Sequence, residues 1–150
     1  MPAEPVDHDG AGTIGGIDHV AFPMLDGPAT VAFYRSLGLE VTESDLLVQV
    51  HLGAQTVNFH RPEFWRRDVE LRARAATPPC GDLCLEWRGS EAALQSLLDG
   101  AGAHVVEGPT ERRGGRRMTG SSVYVRDPDG NLVEFIRYPG QDGRPVVDGE

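Results

Sequence analysis

Three residues of metal-ligating type lie in stretches that alternate apolar and polar residues: His19, His60 and Glu134. Two neutral imidazoles and one carboxylate are the ligand set of the 2-His-1-carboxylate site, which leaves positions open for a substrate or O2. Their neighbours on the same strand faces are also chemically capable. The polar face reads His19; Gln49 and His51; Asn58 and His60; Asp82, Cys84 and Glu86; Ser122, Tyr124 and Arg126; and Glu134. An antiparallel sheet can simply show such a face to water. Here, however, the face is rich in imidazole and carboxylate instead of Lys, Thr and Ser. If the sheet curls, His19, His60 and Glu134 meet inside a cup. Tyr124 then suits an acid or a donor to an oxyanion, and Glu86 is a second group able to move protons.

The elements that must carry these residues follow a repeated pattern. Strand alternation predicts Val20 and Phe22, Val57 and Phe59, Leu83, Leu85 and Trp87, Val123 and Val125, and Val133 and Phe135 on one apolar face. Asp26-Gly-Pro28 offers a helix N-cap with an early proline, and Gly38 a stop. Strand-like stretches 39–43, 46–52 and 55–60 come next. The second half repeats this order: a strand over 82–87, a helix capped by Ser90, then strands over 104–107, 121–126 and 131–138. The turn Asp127-Pro-Asp-Gly-Asn131 is a hairpin signal. The first strands of the two halves are offset by 63 positions. The expected fold is therefore α+β, two βαβββ modules over about 16–62 and 80–138 forming a cupped eight-stranded sheet with helices outside. Residues 1–15 and 139–150 are expected as tails around a single domain, 16–138. Stretches 61–79 and 108–120 fit no regular element.

Composition narrows the function. The chain has 150 residues and a net charge of −9, which argues against nucleic acid or an anionic membrane as partner. Its 14 basic residues are all arginine, so lysine-based covalent catalysis and a P-loop are excluded. No apolar run approaches membrane-spanning length, and residues 1–16 lack a signal-peptide pattern. Cys80 and Cys84, if in one strand, are roughly 13 Å apart, beyond the reach of a disulfide. A reducing cytoplasm is the expected location. Nine arginines fall in 61–74 and 112–117, so an acidic protein can still present a basic mouth. Arg112 and Arg116 suit a carboxylate or phosphate, with Arg126 and Asn58 as further substrate contacts.

The two βαβββ units, Ile17-Asp-His19, Val57-Asn-Phe-His60 and Tyr124-Val-Arg-Asp-Pro-Asp-Gly-Asn-Leu-Val-Glu134 resemble the vicinal oxygen chelate superfamily of glyoxalases, bleomycin-resistance proteins and extradiol dioxygenases. The stretch from His60 through Pro78-Pro-Cys-Gly-Asp-Leu-Cys84 to Glu107-Gly-Pro109 resembles its small single-domain glyoxalase-domain branch. The resemblance implies metal ligands at His19 and Glu134, with His60 matching the branch's fourth-strand histidine. Asp82 stands where relatives often carry histidine, and is either a fourth ligand or a hydrogen-bond partner of one. Tyr124 matches the dioxygenase tyrosine. Fe2+ is the favoured metal on this ligand set, with Mn2+, Ni2+ or Zn2+ as the other candidates. The implied protein is a homodimer acting on a small substrate by dioxygenase-, glyoxalase- or lyase-like chemistry. The alternative it implies is a metal-free protein that sequesters an antibiotic or natural product against aromatics such as Phe64, Trp65 and Trp87.

Overall fold

A computed structural model describes residues 12–67 and 70–140. Of the expected tails, 1–15 and 139–150, residues 1–11 and 141–150 lie outside the described residues. Eight strands form two four-stranded sheets of identical topology. The first holds β1 (His19–Pro23), β2 (Glu40–Glu43), β3 (Leu47–Leu52) and β4 (Gln55–His60) in the order β1-β4-β3-β2. The second holds β5 (Asp82–Glu86), β6 (Glu107–Arg113), β7 (Thr119–Arg126) and β8 (Leu132–Arg137) in the order β5-β8-β7-β6. In each sheet the first strand runs parallel to the last, and the other pairs are antiparallel. β1 and β5 begin 63 positions apart, at the offset read from sequence.

The helices form where caps and spacing direct them. Asp26 accepts from the Ala29 N–H at 3.0 Å and starts α1 (Gly27–Ser36), which has a proline in its first turn. Ser90 caps α3 (Glu91–Gly100) in the same way through Ala93. Val31, Phe33 and Tyr34 of α1 and Leu94 and Leu98 of α3 are buried in one core with Val48, Val50, Phe59, Val125, Val133 and Phe135. The Tyr34 and Phe59 rings lie 5.2 Å apart. Apolar strand faces thus meet the helices, and the polar faces lie opposite. None of the helices is long and apolar enough to cross a membrane among the described residues.

Two segments differ from the sequence expectation. The strand expected over 104–107 lies instead at Glu107–Arg113, so 104–106 are outside it and 108–113, read as loop, are inside it. Pairing with β7 supplies its backbone partners, and a register shift between Glu107 and Thr110 absorbs Gly108 and Pro109. The stretch after His60 contains a single helical turn, α2 (Pro62–Trp65), fixed by the Trp65 indole donating to the Met24 carbonyl at 2.7 Å.

A buried knot of hydrogen bonds joins the modules. Asp127, 4% exposed, accepts from Tyr34 Oη at 3.0 Å, from Asn131 Nδ2 at 2.8 Å, and from the N–H groups of Asp129, Gly130 and Asn131. Asp129 accepts from the Leu25 and Asp26 N–H groups at 2.7 and 3.1 Å, just before α1. Asn131 Oδ1 accepts from the Gly81 N–H at 2.8 Å, just before β5. The β7–β8 turn therefore fixes the start of α1 and the start of β5 together.

Candidate functional site

Register decides which polar residues are neighbours. In the first sheet one row reads His19, Thr56, His51 and Glu40; the next reads Ala21, Asn58, Gln49 and Thr42. In the second sheet Asp82 and Leu132 sit in one row with Arg126, and Cys84, Glu134, Tyr124 and Glu107 form the next. The repeat makes His19 the counterpart of Asp82, and Asn58 the counterpart of Glu134.

Glu134 stands between Cys84 and Tyr124 in that row. It is half-buried and accepts from Ser122 Oγ at 2.6 Å. Beside it, Tyr124 Oη accepts from Arg112 Nε at 3.1 Å, and Arg112 also donates to Glu107 at 3.1 Å. Desolvation holds the Tyr124 phenol above its ordinary value; Arg112 pulls it the other way and Glu134 adds to the rise. Tyr124 thus stays protonated at neutral pH and keeps an O–H to donate. On the other side of Glu134, burial pushes the Cys84 thiol up to about 12, helped by the charge and hydrogen bond of Glu134. In a Cys80→Ser variant, disulfide-reagent labelling of Cys84 at pH 8 should run about a hundredfold or more below a free thiol, because only thiolate attacks. Labelling at the free-thiol rate would contradict this environment.

The first sheet supplies imidazoles. His19 is exposed, with Nδ1 2.7 Å from Asp18 Oδ1. His51 Nε2 lies 2.7 Å from Thr42 Oγ1, and Asn58 is buried and accepts from Gln49 at 3.1 Å. His60 packs edge-on against Phe64 at 4.5 Å between ring centres. Burial, and then the charge of His19, hold the His60 imidazole below its ordinary value. It is therefore neutral at neutral pH, the form that binds metals.

The expected ligands do not converge within one chain. His19 pairs with Thr56 and His60 with Pro23, so their backbone positions are four residues apart along the strands, an offset of roughly 13 Å. Glu134 lies on the other sheet, and Asp82 is exposed and opposite Leu132 instead of Glu134. No group of three His, Cys, Asp or Glu able to hold a metal ion occurs among the described residues. The donor types suit a divalent cation; their placement in a single chain does not.

The expected proton and substrate groups are also placed. Glu86 lies between Arg116, at 2.7 Å, and Arg88, at 3.5 Å. Arg126 is exposed and donates to the Gly130 carbonyl. The arginine-rich loops are thus partly neutralised, Arg61 likewise pairing with Glu43 at 3.0 Å. Ser122 and Cys84 as neighbours of Glu134, and His51 in the row of His19, were legible as face residues but not as contacts.

Solved structures of similar proteins share this chain's architecture. Residues 16–135 match the family described as Glyoxalase/Bleomycin resistance protein/Dioxygenase superfamily. Virulence protein STM3117 of Salmonella typhimurium is 37% identical over 126 residues, 81% of this chain and 83% of that protein. Its crystal structure matches with a TM-score of 0.74 over 85% of this chain and 99% of that chain. Glyoxalase domain-containing protein RDO1 of Mycosarcoma maydis is 33% identical over 127 residues, covering 84% of this chain and 70% of that protein. A lactoylglutathione lyase from Agrobacterium tumefaciens, 24% identical, shares the fold with a TM-score of 0.64 over 83% of this chain and 94% of that chain. With paired βαβββ modules and a family match over most of its length, the chain belongs to the glyoxalase/bleomycin-resistance/dioxygenase superfamily, the vicinal oxygen chelate proteins.

Proposed function

We propose that this chain is a divalent-metal-dependent enzyme of the superfamily, dioxygenase-like or glyoxalase/lyase-like, acting on a small anionic substrate that offers two neighbouring oxygens. Members of the superfamily act on small molecules, often dimerise and commonly bind divalent metals. The observation that carries the reading is the row Cys84, Glu134, Tyr124 with Arg112 behind it. It sets a half-buried carboxylate beside a protonated phenol and a guanidinium. A solvated face has no need of that combination.

His19, His60 and Glu134 would hold the metal, with Asp82 as a fourth donor or as a hydrogen-bond partner to one. Because one chain does not gather them, the reading needs a homodimer in which Glu134 of one copy is brought to His19 and His60 of the other. A metal supplies Lewis acidity toward chelating oxygens. The chain's own residues orient and protonate. Arg112 and Arg116 draw the anion in, Asn58 and Arg126 contact it, and Tyr124 and Glu86 move protons. Cytoplasmic location belongs to the same proposal, in keeping with two free cysteines.

Thermal denaturation in graded Fe2+ (anaerobic), Mn2+, Ni2+ or Zn2+ tests the reading. At a hundredfold excess over Kd, binding adds about 2.7 kcal/mol, several degrees in Tm. The rise should be absent in Glu134→Ala. Equal shifts in both proteins, or none in either, would refute it.

One observation favours a second reading, metal-free sequestration of a natural product. A cleft of about 900 Å³ has Trp87 in its wall. Tight binding of an aromatic antibiotic, unchanged by chelator, would put this reading first.

A further inference from the structure

The same cleft opens between the two modules, and Cys84, the neighbour of Glu134, lies in its lining. Its walls are largely apolar, with Val20, Leu39 and Leu52 on one side and Leu83, Leu85 and Trp87 on the other, interrupted by His51, Gln55, Thr56 and Cys84. Glu86 and Arg88 also line it. There Arg116 Nη2 donates to both oxygens of Glu86, at 2.7 and 3.0 Å, and Arg88 Nε lies 3.5 Å from one of them. Two guanidinium groups converging on one carboxylate are the usual means of holding an acidic ligand. Here the chain's own Glu86 fills that position. The Arg116 and Arg88 side chains are 44% and 73% exposed, so the internal ion pairs are weak and open to exchange.

We propose that this cleft binds an amphipathic monocarboxylate. The ligand's carboxylate replaces that of Glu86 on Arg88 and Arg116. Its hydrocarbon or aryl body lies against Leu83, Leu85 and Trp87. A volume of about 900 Å³ suits a small ligand of this kind. The apolar wall selects for the body, and the arginine pair selects for the acid over the corresponding alcohol. No bound metal takes part, although Glu86 and Arg116 also serve the proposed reaction.

Calorimetric titration of the chelator-treated full chain with hexanoate, octanoate and decanoate, all below their micelle concentrations, tests the site. Affinity should rise about three- to fourfold per methylene. Glu86→Gln, which frees both guanidinium groups, should tighten decanoate about three- to tenfold; Arg88→Gln should weaken it by a similar factor. Decanol should bind at least about tenfold more weakly than decanoate. Both substitutions are at accessible side chains and leave the core intact. Absence of binding overturns the proposal, as does affinity independent of chain length. Decanol binding as well as decanoate, or equal affinity in wild type, Glu86→Gln and Arg88→Gln, also overturns it. Because the titration uses metal-free protein, its failure is distinct from failure of the metal reading.

Discussion

Asp127→Ala should lower the melting temperature by roughly 10 °C, the largest stability loss expected from a single polar residue in this chain. Asp127 is 4% exposed and accepts hydrogen bonds from Tyr34 Oη, Asn131 Nδ2 and three backbone N–H groups. Truncation strands those donors away from water, and stranding the partners of a buried charge costs about 3–5 kcal/mol. Burial first, and then the charge and hydrogen bond of Asp127, hold the Tyr34 phenol far above its ordinary value, so its proton stays on this bond at any ordinary pH. Tyr34→Phe removes one donor and leaves the rest, at about 1–2 kcal/mol. The double variant should cost less than the sum of the two, because both act on one network. Thermal melts by circular dichroism measure all three. A loss within 0.5 kcal/mol for Asp127→Ala, the range of ordinary surface substitutions, would mean that the β7–β8 turn does not join the modules as described.

The second large effect concerns function. His19→Ala and Glu134→Ala should each abolish activity, yet a mixture of the two should regain part of it. If each site takes His19 from one copy and Glu134 from the other, a mixed dimer contains one intact site and one site lacking both residues. Random reassortment then makes half the dimers mixed, which restores about a quarter of wild-type sites. The placement of the two residues motivates the experiment: His19 lies on an edge strand of the first sheet, Glu134 on an inner strand of the second. No recovery after unfolding and co-refolding the two variants, with wild type recovering under the same treatment, would place both residues in a site built from one chain.

Much of the fold was legible because short-range rules carry it. Asp26 and Ser90 cap helices where their side chains predicted, and alternation sorted Val20, Phe22, Val57 and Phe59 from His19, Asn58 and His60. Alternation has a period of two and therefore assigns a face; it does not assign a row. His19 and His60 share a face, but pairing with β4 puts them at opposite ends of it. Only the register showed Cys84 next to Glu134, and Asn58 as its counterpart in the other module. β6 was expected too early, at 104–107, because Gly108, Pro109 and the arginines resemble a loop, while their strand character comes from pairing with β7. The Asp127-to-Asn131 turn was recognised as a hairpin signal. Its bonds to Tyr34, Leu25 and Gly81 span up to 104 positions, a distance that local rules do not reach.

Elemental analysis of the purified protein after expression in metal-replete medium tests the metal proposal most directly. A metal-dependent enzyme predicts about one divalent ion per chain, lost in His19→Ala and in Glu134→Ala. Iron would direct attention to O2 chemistry, and nickel or zinc to isomerisation or lyase chemistry. Wild-type protein that retains its fold and carries no stoichiometric metal under those conditions would contradict it.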